Sequence, residues 1–339
     1  MAAGQTATQG ATRATNQAAS PAAARQTIEI RNVDLHLSDQ VLLRVRELRG
    51  EVTATKPEQP ATLDDPQSFR IRVTSGVVAM TGDDLASLLN GVVFAYPGAP
   101  LRDIRVRTDS VQLIQTGTLH MGVNLKFRIR ANVDVTPDGH IRIHPTLVRV
   151  LGLNGQKALH LVGMHLSDVL NLRHARGLTA HGDDLLLDPT AVLPPPAVDG
   201  RLVSVRIEGN ALVEEFARAP SDTAHAAASA AASPDSSHAG FVHYLGGRLQ
   251  FGRLLMSNTD LRIVSTDPHG SFDLNLPHYA EQLVAGYSRT RPNMGLTAYM
   301  PNYATLHGAP SAARPSTGPA TGRATGQNAG QSSGQGARP

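Results

Sequence analysis

The sequence predicts an α+β fold, a long curved antiparallel sheet wrapped on two apolar helices. Three observations lead there. Apolar residues alternate with period two through most of the chain, two stretches switch to helical spacing, and the apolar runs are separated by turn-forming Pro, Gly and Asp.

Taken in order, Ile28, Ile30, Val33, Leu35 and Leu37 share one strand face with a single slip, and Leu43 and Val45 continue the pattern on a strand around 41–55. Phe69, Ile71 and Val73 alternate with Arg70, Arg72 and Thr74. Thr81 and Asp84 then have the spacing of a capping box variant. Behind them Leu85, Leu88, Leu89, Val92, Val93 and Tyr96 fall at offsets 0, 3, 4, 7, 8 and 11, an amphipathic helix of about four turns stopped at Pro97-Gly98. Ile104 and Val106 alternate with Arg105 and Arg107, and the run extends through Val111 and Leu113.

The clearest strand is 123–135, with Leu125, Phe127, Ile129, Ala131, Val133 and Val135 on one face and Lys126, Arg128, Arg130, Asn132 and Asp134 on the other. Pro137-Asp138-Gly139 turns it into a partner carrying Ile141 and Ile143. One-sided alternation of this kind implies an antiparallel sheet with one face wet and one covered. The second helical stretch, about 155–172, spreads Leu159, Leu161, Val162, Met164, Leu166, Val169, Leu170 and Leu172 widely around its axis and needs cover on more than one side. Leu185–Leu187, Leu202–Ile207 and Leu212–Phe216 read as further strands, with Pro194, Pro195 and Pro196 forcing an extended connector. Phe241–Met256 and Leu261–Val264 read as a hairpin, and 268–306 as mostly irregular.

Composition sets the boundaries. Residues 1–26, 219–238 and 307–339 hold so little apolar surface that they read as two disordered tails and a disordered loop. A sheet-and-helix domain at 27–218 and a β-rich extension or cap at 239–306 remain. The second of these, with Tyr279, Tyr287, Tyr299 and Tyr303, either covers one mouth of a groove or seals a sheet edge. The net charge of +3 misleads, because the tails carry five Arg and no acid, while the loop carries Asp222 and Asp235 and no base. The part expected to fold is neutral, and with 13 Phe and Tyr in the chain nucleic acid is not an expected partner. The absence of Cys removes disulfides, thiolate metal sites and a cysteine nucleophile. No apolar window reaches the length of a membrane span, and no secretory signal follows Met1, so the expected location is cytoplasmic, or the cell envelope if an N-terminal signal has been trimmed. The oligomeric state is left open.

No phosphate loop, nucleophile elbow, H-E-x-x-H or dinucleotide fingerprint occurs, so the expectation is a non-enzyme with no metal and no cofactor. His140 and His144, four apart on a strand, stand about 13 Å apart, too far to share a metal. His160 and His165 diverge around a helix. Asp267, His269, Asp273 and His278 could gather into a metal or acid/base site, though loop Asp and His are more often turn formers. Arg105, Arg107, Arg128 and Arg130 head a basic stripe, shared with Arg70, Arg72 and Arg142, that would meet lipid headgroups of an anionic membrane. Its plainer reading, favoured by the neutral total, is a solvated face with cross-strand ion pairs.

The remaining candidates are apolar: Leu85, Leu88, Leu89, Val92 and Val93 on the first helix and Leu161, Val162, Leu166 and Val169 on the second. They line either an ordinary packed core or a groove between helices and sheet. In a groove, each methylene of a bound chain would contribute about 0.8 kcal/mol. Binding or transfer of a lipid or other apolar small molecule is the leading functional reading. The alternative is a structural or protein-interaction module with a fully packed core.

The run Met80-Thr-Gly-Asp-Asp-Leu-Ala-Ser-Leu-Leu-Asn90, the hairpin Ala131–Pro145, and Gly182-Asp-Asp-Leu-Leu-Leu-Asp-Pro189 leading to Pro194-Pro195 resemble the LmeA-like family of bacterial envelope proteins over about residues 70–217. The resemblance implies the tubular lipid-binding fold of bactericidal/permeability-increasing protein, a lipid groove and an envelope setting. It assigns no residue to a headgroup.

Overall fold

The computed structural model describes residues 25–151, 167, 170–217 and 238–308. The described chain is built on two sheets. The larger has twelve strands: β1 (Gln26–Ser38), β2 (Val41–Ala54), β3 (Ala61–Thr62), β4 (Phe69–Thr81), β11 (Ala197–Asp199), β12 (Leu202–Glu208), β13 (Ala211–Phe216), β14 (Phe241–Phe251), β15 (Leu254–Ser265), β16 (Phe272–Asn275), β17 (Tyr287–Thr290) and β18 (Leu296–Met300). Its main path runs β12-β13-β4-β2-β1-β14-β15-β18-β17, with β11 beside β4, β16 beside β1 and β3 beside β14. The smaller orders β5 (Leu101–Asp109), β6 (Gln112–His120), β7 (Asn124–Val135), β8 (Ile141–Leu151), β10 (Asp184–Leu187) and β9 (Leu178–His181).

The slip in the first apolar run has a structural counterpart. Asn32 takes a left-handed conformation (φ 49°), which a short polar side chain tolerates better than an apolar one. Before it, Thr27–Arg31 pair with β14. After it, Val33–His36 pair with β16, in parallel. The kink keeps Ile28, Ile30 and Val33 all buried while the strand changes partners.

In the smaller sheet Leu125, Phe127, Ile129 and Ala131 of β7 point inward and are buried. The β7–β8 turn closes with Thr136 N–H donating to the His140 carbonyl at 2.9 Å. One continuous apolar cluster contains buried residues of both sheets.

This architecture overturns the α+β expectation, because the described chain is mostly strand and is not a sheet wrapped on two apolar helices. The first apolar stretch is a seven-residue helix, α1 (Gly82–Leu88), extended by a π-helical turn over Leu89–Val93. The second lies largely outside the described residues, and its described end, Leu170 and Leu172, is buried in non-helical chain. The cover assigned to two helices is shared instead: the buried faces of both sheets, α1 and the segment around Leu187–Leu193 join one apolar cluster. The segment 268–306 is not irregular: it holds β16, α2 (Tyr279–Ala285), β17, β18 and α3 (Tyr303–Leu306). Through β14–β18, residues 241–300 continue the larger sheet past β1. The expected tails and loop lie outside the described residues apart from Arg25, Gln26, His238, His307 and Gly308, and Gln26 opens β1.

Candidate functional site: an apolar cavity with one buried carboxyl

The inner face of the larger sheet carries Ile28 and Ile30 of β1, Val45 of β2 and Val78 of β4, and a cavity lies beneath it. The cavity measures about 70 Å³. Leu85 and Leu88 of α1 close one side, and the segment from Leu187 to Val198 closes another.

Both covers are fixed by polar chemistry outside the cavity. At α1, the Thr81 hydroxyl accepts from Asp84 N–H at 3.2 Å while an Asp84 carboxylate oxygen accepts from Thr81 N–H at 2.8 Å, a reciprocal capping box. Arg44 adds an ion pair to Asp84 at 3.0 Å. Asn90 then docks the helix on β5, donating to the Ile104 carbonyl at 2.7 Å and accepting from Ile104 N–H at 2.9 Å. The other cover is held by Arg176, which donates to the carbonyls of Ala191 at 2.8 Å and Leu193 at 2.5 Å. Within it, the Asp188 carboxylate accepts from the backbone N–H groups of Thr190 and Ala191 at 2.9 and 3.0 Å. Burial opposes the Asp188 charge, but these bonds outweigh it and hold the carboxyl below its usual range.

Among the described lining residues two are polar, Glu214 and Tyr244. Glu214 sits on β13, where alternation sends Leu212, Glu214 and Phe216 to the inner face. The strand register puts it in a row with Val205 of β12 and with Val78, Val45 and Val33 of β4, β2 and β1. Its relative exposure is 8%, and no described residue gives it a hydrogen bond or an ion pair. Burial alone therefore pushes its carboxyl up to about 7. Its neighbour Glu215 faces outward and pairs with Arg206 at 3.4 Å. On that outer face the Arg46–Glu208 pair at 2.6 Å reaches from β2 to β12, over Ala79, Ala211 and Val213 on the two strands between. Tyr244 on β14 is buried, and desolvation raises its phenol pKa.

The apolar candidates divide. Leu85 and Leu88 line the cavity, whereas Leu89 and Val92 are half-buried against the core and Val93 is buried in the core without lining the cavity. Leu161, Val162, Leu166 and Val169 lie outside the described residues, as do His160 and His165. Glu214 is the residue the sequence reading missed. The adjacent acids Glu214 and Glu215 must face opposite sides of a strand, and with Leu212 and Phe216 two residues to either side, one acid had to go inward.

The basic candidates gather on the outer face of the smaller sheet. Arg105, Thr116, Arg128 and Arg149 form one cross-strand row, and Arg107, Ile114, Arg130 and Leu147 the next. Arg130 reaches Asp109 at 3.9 Å, while Arg105, Arg107 and Arg128 have no ion pair with a described residue. Other groups separate rather than converge. Asp267 accepts from His269 N–H, His36 contacts Asp273 at 2.9 Å, and His278 contacts Glu281 at 3.0 Å. His140 and His144 each have their own acid, Asp138 and Asp184. No group of three metal-ligating side chains occurs among the described residues.

No protein-family model, no curated protein and no solved structure matches this chain.

Proposed function

We propose that this protein binds a small apolar ligand, without catalysis, in the cavity beneath the larger sheet. The observation that carries the reading is a cavity lined by apolar side chains and closed by two separately anchored covers. Its size suits a chain on the order of eight carbons, the room of a handful of water-sized groups. The test is uptake of a neutral fluorescent naphthyl probe by the purified protein, with displacement by octanol, in wild type and in Val78→Phe. The reading expects uptake by wild type, with Val78→Phe folded but unable to bind. No uptake, with Val78→Phe destabilised by about 1–3 kcal/mol, is the behaviour of a fully packed core and overturns it.

A second reading concerns partners, and Arg105, Arg107 and Arg128, spread over two adjacent cross-strand rows, favour it: peripheral contact of the smaller sheet with an anionic membrane. Cosedimentation with vesicles containing phosphatidylglycerol, but not with pure phosphatidylcholine, is expected. It should weaken in Arg105→Gln/Arg128→Gln and with added salt. Equal binding to both vesicle types, or none to either, removes this reading.

A further inference from the structure

We propose that the cavity's ligand carries a primary amine at one end of its alkyl chain, and that the Glu214 carboxylate holds it as an ammonium. The inference rests on the cavity-binding reading and specifies its ligand.

A carboxyl on the inner face of a sheet loses its hydration. Proteins normally compensate with Arg, backbone N–H groups or a capping turn, as this chain does at Asp84 and Asp188. Glu214 has none of these among the described residues. Its strand neighbours offer Val78 and Val205, the α1 cover offers Leu85 and Leu88, and the other cover offers Leu187, Val192 and Leu193. Asp188, the acid in that cover, is engaged in its own turn. The other titratable group lining the cavity is Tyr244 on β14, four strands away across the sheet. The site thus lacks one kind of group, a donor carrying positive charge, while everything around it suits an alkyl chain.

An ammonium supplies up to three N–H donors and the opposite charge, and low-dielectric walls strengthen the attraction. An alcohol supplies one donor and no charge, and a carboxylate brings like charge against like. The bound pair is one carboxylate and one ammonium. A neutral amine reaching protonated Glu214 takes its proton, and an ammonium reaching it releases that proton to solvent, so no other reactant is needed.

Isothermal titration calorimetry of the whole chain at pH 8 with octylamine, octanol and octanoate tests this, in wild type and in the near-isosteric Glu214→Gln. Wild type should bind octylamine at least tenfold tighter than octanol, and octanoate more weakly than either. Glu214→Gln should lose the amine preference, binding octylamine no tighter than octanol. If octanol binds but octylamine binds no tighter, or if Glu214→Gln keeps the preference, the amine assignment is wrong and the cavity reading stands. If none of the three binds wild type, both fall.

Discussion

Two carboxyls near opposite ends of the larger sheet were given contrary surroundings. Asp260 on β15 is partly buried and crowded with donors. His243 Nε2 lies 2.8 Å from its carboxylate, Asn293 Nδ2 donates to it at 2.9 Å, and Arg291 donates to both its carboxylate and, at 3.1 Å, its backbone carbonyl. Burial works against its charge, but the bonds from His243 and Arg291 prevail and hold it below the usual range. Arg291 and Asn293 come from the turn between β17 and β18, so Asp260 clamps the edge hairpin onto the sheet. Even the space is committed, for a Cβ at Gly295 would press on the Asp260 carboxylate. Glu214 is more deeply buried and has no described donor. A carboxyl serving structure brings its own donors, and one lining a cavity without them is best explained by a donor from outside.

The largest effect that would break the comparison is on stability against pH. The Glu214 carboxyl titrates near 7 in the folded chain against an ordinary 4.5, so between those values the folded state holds more protons than the unfolded state. Stability therefore falls as pH rises through that window and levels off above it, a loss of about 3 kcal/mol from this one group. Glu214→Gln carries no charge at any of these pH values. Urea unfolding should find it close to wild type near pH 4.5 and more stable by about 3 kcal/mol at pH 8. A variant less stable than wild type at pH 8 would mean that the carboxylate has a donor within the protein, and the contrast with Asp260 would disappear.

Much of the sheet structure was legible in the sequence, because alternation with period two is a direct consequence of a strand buried on one face. The run 123–135 maps onto β7 within a residue, and the slip before Val33 marks where β1 changes partners at Asn32. The fold class was not legible. Helical spacing at 85–96 is equally satisfied by a short helix and a π turn tucked against sheets, and nothing local says that strand faces rather than helices supply the cover. The segment 268–306 looked irregular because β16, β17 and β18 are only 4, 4 and 5 residues long, too short for alternation to register. Their order comes from distant partners. Gln282, fully buried, donates to the carbonyls of Asp273 and Pro301 at 2.9 and 2.8 Å and accepts from Asn275 N–H at 2.9 Å. At the site, Leu85 and Leu88 could be read from helical spacing, whereas Glu214 required knowing which face of β13 turns inward.

The smaller expected effect comes from the satisfied carboxyl. Asp260→Ala removes the acceptor of three side chains and leaves the Arg291 guanidinium, 15% exposed, without its counter-charge. The cost should be about 2 kcal/mol, because the site is partly screened by solvent and a fully buried pair would cost more. Its pH signature is opposite to that of Glu214. A carboxyl held below its ordinary 3.8 stabilises the fold above that pH and loses the contribution as pH falls through its lowered folded value. The gap between wild type and Asp260→Ala in urea unfolding should therefore be open at neutral pH and close under acid, where wild type is protonated too. The damage should also be local. Hydrogen exchange should speed up first at Tyr287–Thr290 and Leu296–Met300, the edge hairpin, while β13 and the cavity strands keep their protection. If exchange rises equally at β13, the two carboxyls share one cooperative unit, and the Glu214 site could not be altered independently of the sheet that carries it.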